Sequence, residues 1–120
     1  MPFKTILKEL TTTMDAQGAI MLDWEGEAVD SFSSEETLEL DAIGAHKGII
    51  LNLIQQAGKR VQRMGEINTI GITTEKARIA ISVLKDGYYI LLIMDKAHKK
   101  FMGKAFMESK KAAKKLMAEM

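Results

Sequence analysis

Cysteine is absent from this chain. No disulfide, thiolate metal site or cysteine nucleophile can therefore exist, and a reducing compartment suits it. Proline is nearly absent as well. The only one, Pro2, fits a first helical turn, so no later element carries a proline break. Long apolar runs are missing. The longest, residues 88–94, falls far short of the roughly 20 residues that a membrane-spanning helix needs. The opening Met1-Pro2-Phe3-Lys4 lacks the apolar block of a signal peptide, which points to the cytoplasm.

The usual marks of catalysis are missing too. No G-x-x-x-x-G-K-[ST] phosphate loop and no G-x-G-x-x-G turn occurs; Gly58-Lys59 and Gly103-Lys104 lack the upstream glycine and the following hydroxyl. The chain therefore does not itself look like a GTPase. Histidine occurs only at His46 and His98, neither followed by a second His or a carboxylate one helical turn on, so no metal pair is implied. His46 reads as a packing residue and His98 as surface. Ser31, Ser33, Ser34, Ser82 and Ser109 stand in no nucleophile-elbow context. The expectation is a protein that is not an enzyme and uses no cofactor.

What is present is one domain's worth of chain, 120 residues, expected to fold as a unit over 1–120. The net charge of +1 hides an uneven spread. Residues 14–41 hold nine acids and no Lys or Arg, whereas residues 96–120 hold eight lysines against Glu108 and Glu119. Those lysines read first as a solvated helix face. Without arginine, and with only Phe101 and Phe106 as aromatics, the segment is unsuited to reading nucleic acid; weak contact with an acidic surface remains open to it.

Periodicity supplies the elements. Phe3, Ile6, Leu7 and Leu10 lie on one helical face. Residues 18–24 read as a strand apolar on both faces, Glu25-Gly26 as a tight turn, and 27–32 as a second, more polar strand. Ser33 with Glu36 forms a capping box for a long helix over about 35–64, which Gly65 closes. The predicted core stripe of that helix is Ala42, Ile43, Ile49, Ile50, Leu53, Ile54, Ala57, Val61 and Met64. Strands follow at 67–73, 77–85 and 88–94, the last two joined by Asp86-Gly87. A final helix opens at Asp95 and runs to about Met117. The order is α-β-β-α-β-β-β-α. The first and last strands, apolar on both faces, should be central, with the long helix on one side of the sheet and the terminal helices on the other.

One pattern exceeds the needs of a core. Leu40, Gly44, Gly48, Leu51, Gln55, Gly58 and Gln62 form a second stripe on the long helix. Each interior glycine costs about 1 kcal/mol relative to alanine, so close approach of another backbone should offset it. A two-fold contact with the same helix of a second copy would do so. The strand at 66–73 lacks proline and inward charge, and reads as an open edge that Ile67, Thr69 and Gly71 would offer to its twin. The polar face Asn52, Gln56, Lys59 and Arg63 would then give a shallow docking surface for a protein partner.

The element order resembles the roadblock / dynein light chain domain. The resemblance rests on the opening hairpin Gly18-Ala19-Ile20-Met21-Leu22-Asp23-Trp24-Glu25-Gly26-Glu27-Ala28-Val29, the long middle helix, Asp86-Gly87, and Tyr88-Tyr89-Ile90-Leu91-Leu92-Ile93-Met94. Phe101-Met102-Gly103-Lys104-Ala105-Phe106 is similar to the glycine-containing start of that family's last helix, although the residues before the glycine differ. The resemblance implies a five-stranded antiparallel sheet between one helix and two, in an α+β, profilin-like arrangement. It implies homo- or heterodimers with a related roadblock domain, built on the middle helix and third strand. It also implies binding to a Ras-like small GTPase, as in bacterial gliding-motility regulators, or a scaffolding role. Arg60 and Arg63 are assigned to the surface rather than to catalysis. Two rival readings are a small-molecule-sensing profilin-like module, which needs an internal pocket, and an adaptor whose basic last helix touches acidic surfaces.

Overall fold

The computed structural model describes residues 2–34, 40–60, 63, 65–95 and 102–120; the side chains of Pro2 and of residues 40–47 also lie outside the description. Helix α1 spans Pro2–Met14 and leads into strand β1, Gly18–Leu22. Strand β2 is Ala28–Ser33 and helix α2 is Leu40–Arg60. Strands β3, Thr69–Thr73, β4, Ala77–Val83, and β5, Tyr89–Asp95, precede helix α3, Met102–Glu119.

The strands form one five-stranded sheet in the order β2-β1-β5-β4-β3, every neighbouring pair antiparallel. The two strands apolar on both faces, β1 and β5, lie inside the sheet and are buried from end to end except at Asp95. The reason is the covering of both faces. Ala19, Met21, Ile90, Leu92 and Met94 meet Leu7, Leu10 and Met14 of α1 and Ala105, Ala112 and Leu116 of α3. Ile20, Leu22, Tyr89, Leu91 and Ile93 point the other way, toward Leu51 of α2. Alternation of side chains along each strand sends successive residues to opposite layers. The fold class is therefore the expected α+β arrangement, with β3 at one edge and β2 at the other.

Turn chemistry explains the hairpins. The Asp23 carboxylate accepts hydrogen bonds from the backbone N–H of Glu25 (2.8 Å) and Glu27 (3.0 Å), while Gly26 takes φ 85°. Between β4 and β5, Asp86 (φ 59°) and Gly87 (φ 79°) both sit in the left-handed region, as a two-residue primed turn requires. A Cβ at Gly87 would stand 2.9 Å from the Cβ of Trp24, so space as well as φ demands glycine there. The Trp24 ring lies edge-on to Tyr88 at 5.5 Å and is half exposed.

Some boundaries differ from the sequence expectations. Trp24 belongs to the turn, because the Asp23 bonds end β1 at Leu22. Ser33 is the last residue of β2, paired opposite Gly18; the capping box it was to form with Glu36 falls on residues outside the description. Asp95 ends β5 opposite Ala77, and the start of the last helix that it was expected to open falls on residues outside the description. Residues 61, 62 and 64, with Val61 and Met64 of the expected stripe, and His98 lie outside the described residues.

Candidate functional site

Helix α2 sits alone on its side of the sheet, and its two stripes have exchanged the places expected of them. Gly48 is buried, Leu51 is 3% exposed, and Gln55 and Gly58 are half-buried. All four face the chain's own sheet and the segment before β3. The expected core stripe instead looks outward: Ile49 is 62% exposed, Leu53 61% and Ile50 39%, and Ala57 is exposed as well. Ile54 lies at the margin, half-buried. Ala42 and Ile43 carry side chains outside the description.

The cause is Tyr89. This large side chain of β5 is buried beneath α2, and a Cβ built on Gly48 would overlap its hydroxyl oxygen and stand 2.9 Å from its Cζ. The glycine lets the helix settle over the phenol. Sequence reasoning saw correctly that a missing side chain marks a close approach, but the approaching group is a tyrosine of the same chain. Further along, the Gln55 side chain donates to the Ile67 carbonyl (2.9 Å) and accepts from the Ile67 N–H (3.4 Å). A Cβ on Gly58 would meet the Ile67 side chain at 3.5 Å, an ordinary contact. Three residues expected at a dimer face, Gln55, Gly58 and Ile67, thus tie the end of α2 to the approach of β3. Leu40 and Gly44 lie in α2 with surroundings outside the description, and Gln62 is outside it altogether.

Tyr89 is electrostatically unusual. Its hydroxyl is buried with no hydrogen-bond partner among the described residues. Burial, and secondarily the nearby Asp23 carboxylate, raise its pKa above the ordinary tyrosine value.

Strand β3 presents a free edge among the described residues, where its only strand neighbour is β4. Ile70 and Ile72 pack toward the α2 layer, while Thr69, Gly71 and Thr73 are exposed. Gly71 lies under Phe106 and Met102 of α3; its virtual Cβ would come within 3.0 and 3.1 Å of them. The four residues expected to form a docking face, Asn52, Gln56, Lys59 and Arg63, are all exposed. Asn52 and Lys59 line a shallow groove between α2 and the Lys85–Gly87 turn, together with Gln55 and Glu66. Among the described residues no three His, Asp or Glu side chains come together, and no helix is long and apolar enough to cross a membrane. The arrangement has the makings of a protein-binding surface: an outward apolar ridge, a bare strand edge and a polar flank.

This is the roadblock fold, an α+β layer arrangement with one helix over a five-stranded sheet and two beneath. The solved structures to which the chain is similar place it more closely. It matches MglB of Myxococcus xanthus over 97% of this chain and 92% of that one, with a TM-score of 0.84 at 14% identity. A roadblock/LC7 domain from Streptomyces avermitilis matches with a TM-score of 0.84 at 13% identity, over 97% and 95% of the two chains. MglC of Myxococcus xanthus is similar along the whole of both chains, at 22% identity and a TM-score of 0.67. At the level of sequence no family model matches, and no curated protein is similar to it. The likeness is therefore one of architecture, and it is to roadblock structures of the gliding-motility type.

Proposed function

We propose that the chain is a non-catalytic cytoplasmic regulator or scaffold that dimerises through α2 and β3 and binds a Ras-like small GTPase. The observation that carries this reading is the outward ridge of Ile49, Ile50 and Leu53. Large aliphatic side chains standing together on the face of a helix opposite its own sheet mark an interaction surface. A second copy related by a two-fold axis would cover ridge with ridge. The same axis would let the β3 edges pair, with Thr69 and Gly71 lending their backbone groups and satisfying the free hydrogen-bonding row, while Ile67 keeps its bonds to Gln55. In this arrangement Gly48, Leu51, Gln55 and Gly58 seat the helix on the sheet so that the ridge stands at the right height.

The polar flank Asn52, Gln56, Lys59 and Arg63 would then be present twice on one side of the dimer, as a docking platform for the GTPase. Roadblock architecture and the gliding-type relatives support this reading, as does the lack of any phosphate-binding loop in the chain itself. Light scattering should give twice the chain mass, and Ile49→Asp with Leu53→Asp should give a folded monomer. Each buried aliphatic side chain contributes about 1.5–3 kcal/mol and each substitution counts in both subunits, so the loss should exceed tenfold in affinity. Affinity capture from the source cell should recover a small GTPase, released by Lys59→Glu with Arg63→Glu. A wild-type chain that stays monomeric at all workable concentrations would refute the dimer. Capture of unrelated proteins alone, unaffected by the Lys59 and Arg63 changes, would refute the docking face.

A further inference from the structure

The side of the sheet opposite α2 is built from α1 and α3, and it is basic. These two helices carry seven lysines against Glu9, Glu108 and Glu119. The lysines divide into two groups. Lys111 reaches Glu108 at 3.4 Å, Lys115 reaches Glu9 at 3.4 Å, Lys4 reaches Asp30 at 3.6 Å, and Lys8 lies over the Phe32 ring at 5.9 Å. Lys104, Lys110 and Lys114 have no such partner among the described residues. All three are exposed, and they fall on one side of α3. In their midst stands Met107, 53% exposed, one turn from Lys104, Lys110 and Lys111 and two from Lys114.

Beside this stripe runs a groove between α3 and the β3–β4 pair. Phe106, Met107 and Met117 line it, and Lys110 and Lys114 belong to the same lining. Unpaired lysines therefore border an apolar surface that remains open to solvent. This is the pattern of a surface that meets an amphipathic and negatively charged partner: ammonium groups for anionic headgroups, thioether and phenyl groups for the acyl boundary beneath them.

We propose that α3 docks the protein on the surface of a bilayer containing anionic phospholipid, with Lys104, Lys110 and Lys114 against the headgroups and Met107 at the acyl boundary. The unpaired lysines, Lys104 to Lys114, extend over about 15 Å of the helix at 1.5 Å per residue, which suits an extended charged plane better than a single acidic side chain. Lysine rather than arginine suits a diffuse negative surface, because a compact ammonium needs no bidentate geometry. The lysine stripe lies across the sheet from the α2 ridge, and although the groove beside it reaches Thr69 of β3, the proposal does not rest on the dimer or GTPase reading and survives the failure of either.

The test is sedimentation of the full-length protein with vesicles. Vesicles of phosphatidylserine in phosphatidylcholine should bind it at low salt and release it as salt rises; phosphatidylcholine alone should not bind. Lys110→Ala with Lys114→Ala should weaken partitioning about 30-fold, from the share that each lysine near an anionic leaflet contributes. Lys111→Ala with Lys115→Ala should weaken it less, because Glu108 and Glu9 already offset those charges. Met107→Ala should lower partitioning while leaving its salt dependence unchanged. Circular dichroism checks that each variant is folded, as expected for exposed positions. Binding to neutral vesicles, binding indifferent to salt, or an unchanged double-lysine variant overturns the proposal. So does an absence of vesicle binding; if soluble polyglutamate then binds, the basic side serves an acidic protein instead.

Discussion

Alanine at position 48 is the sharpest probe of how α2 sits. In an exposed helix interior, replacing glycine by alanine stabilises by about 1 kcal/mol, through reduced backbone freedom. Here the added methyl would overlap the Tyr89 hydroxyl oxygen and stand 2.9 Å from Cζ. Tyr89 is 1% exposed and anchored in the middle strand of the sheet, so it cannot swing into solvent. Either the helix lifts or the ring moves, and overpacking of this kind costs about 1–3 kcal/mol. The helix increment offsets about 1 kcal/mol of that cost, so Gly48→Ala should destabilise by up to about 2 kcal/mol and differ by about 1–3 kcal/mol from the same change at a surface glycine. Tyr89→Phe removes the overlapping atom but leaves Cζ at 2.9 Å, tighter than an ordinary contact, so it should relieve part of the cost and not all of it. Urea unfolding of the wild type, both single variants and the double variant yields the coupling energy directly. A coupling of about 1–2 kcal/mol is expected. If Gly48→Ala raises stability by the ordinary helix increment and shows no coupling to Tyr89, the seating of α2 described here is wrong and the glycine stripe faces outward.

Other positions answer different questions. Tyr89→Phe alone removes a buried hydroxyl that has no partner among the described residues, so it should raise stability by about 0.5–1.5 kcal/mol in the same urea titration. It should also alter the alkaline limb. Below the ordinary tyrosine pKa near 10, folded and unfolded chains both keep the phenol proton and stability is full. Above it the unfolded chain ionises first, because burial raises the folded pKa, and stability falls as pH climbs. The Phe variant should lose that fall, and a pH series showing the same decline in both proteins would contradict it. Gly87→Ala forces a side chain into φ 79° and toward Trp24, and should cost about 1–2 kcal/mol or more by thermal unfolding. Gln55→Leu cuts both hydrogen bonds to Ile67 and should loosen the approach to β3, seen as faster amide exchange at Ile67 with little change in the core strands.

Several parts of this architecture were legible from residue order alone. The double-sided apolarity of residues 18–22 and 89–94 placed β1 and β5 inside the sheet, because a strand apolar on both faces must be covered twice. Asp86-Gly87 announced its turn because few other pairs accept positive φ at both positions. The thinly apolar β3 was recognisable as an edge for the converse reason. Boundaries were harder. Residues 18–24 look like one strand by their apolar run, yet β1 stops at Leu22, since the Asp23 carboxylate bonds the turn backbone at Glu25 and Glu27. Polar exposure at Asn52, Gln56, Lys59 and Arg63 was also readable, because each is a costly side chain to bury.

The sequence by itself determined that α2 is a helix with two competing stripes, one aliphatic and one notched with glycine. Hydrophobicity favours the aliphatic stripe as the buried one, and local periodicity cannot say otherwise. Only the tertiary structure decided between them, because the decision belongs to Tyr89, a residue distant in sequence. Its bulk leaves room above the sheet for a glycine and none for a side chain. The helix turns its notch inward, and the aliphatic residues are left facing outward.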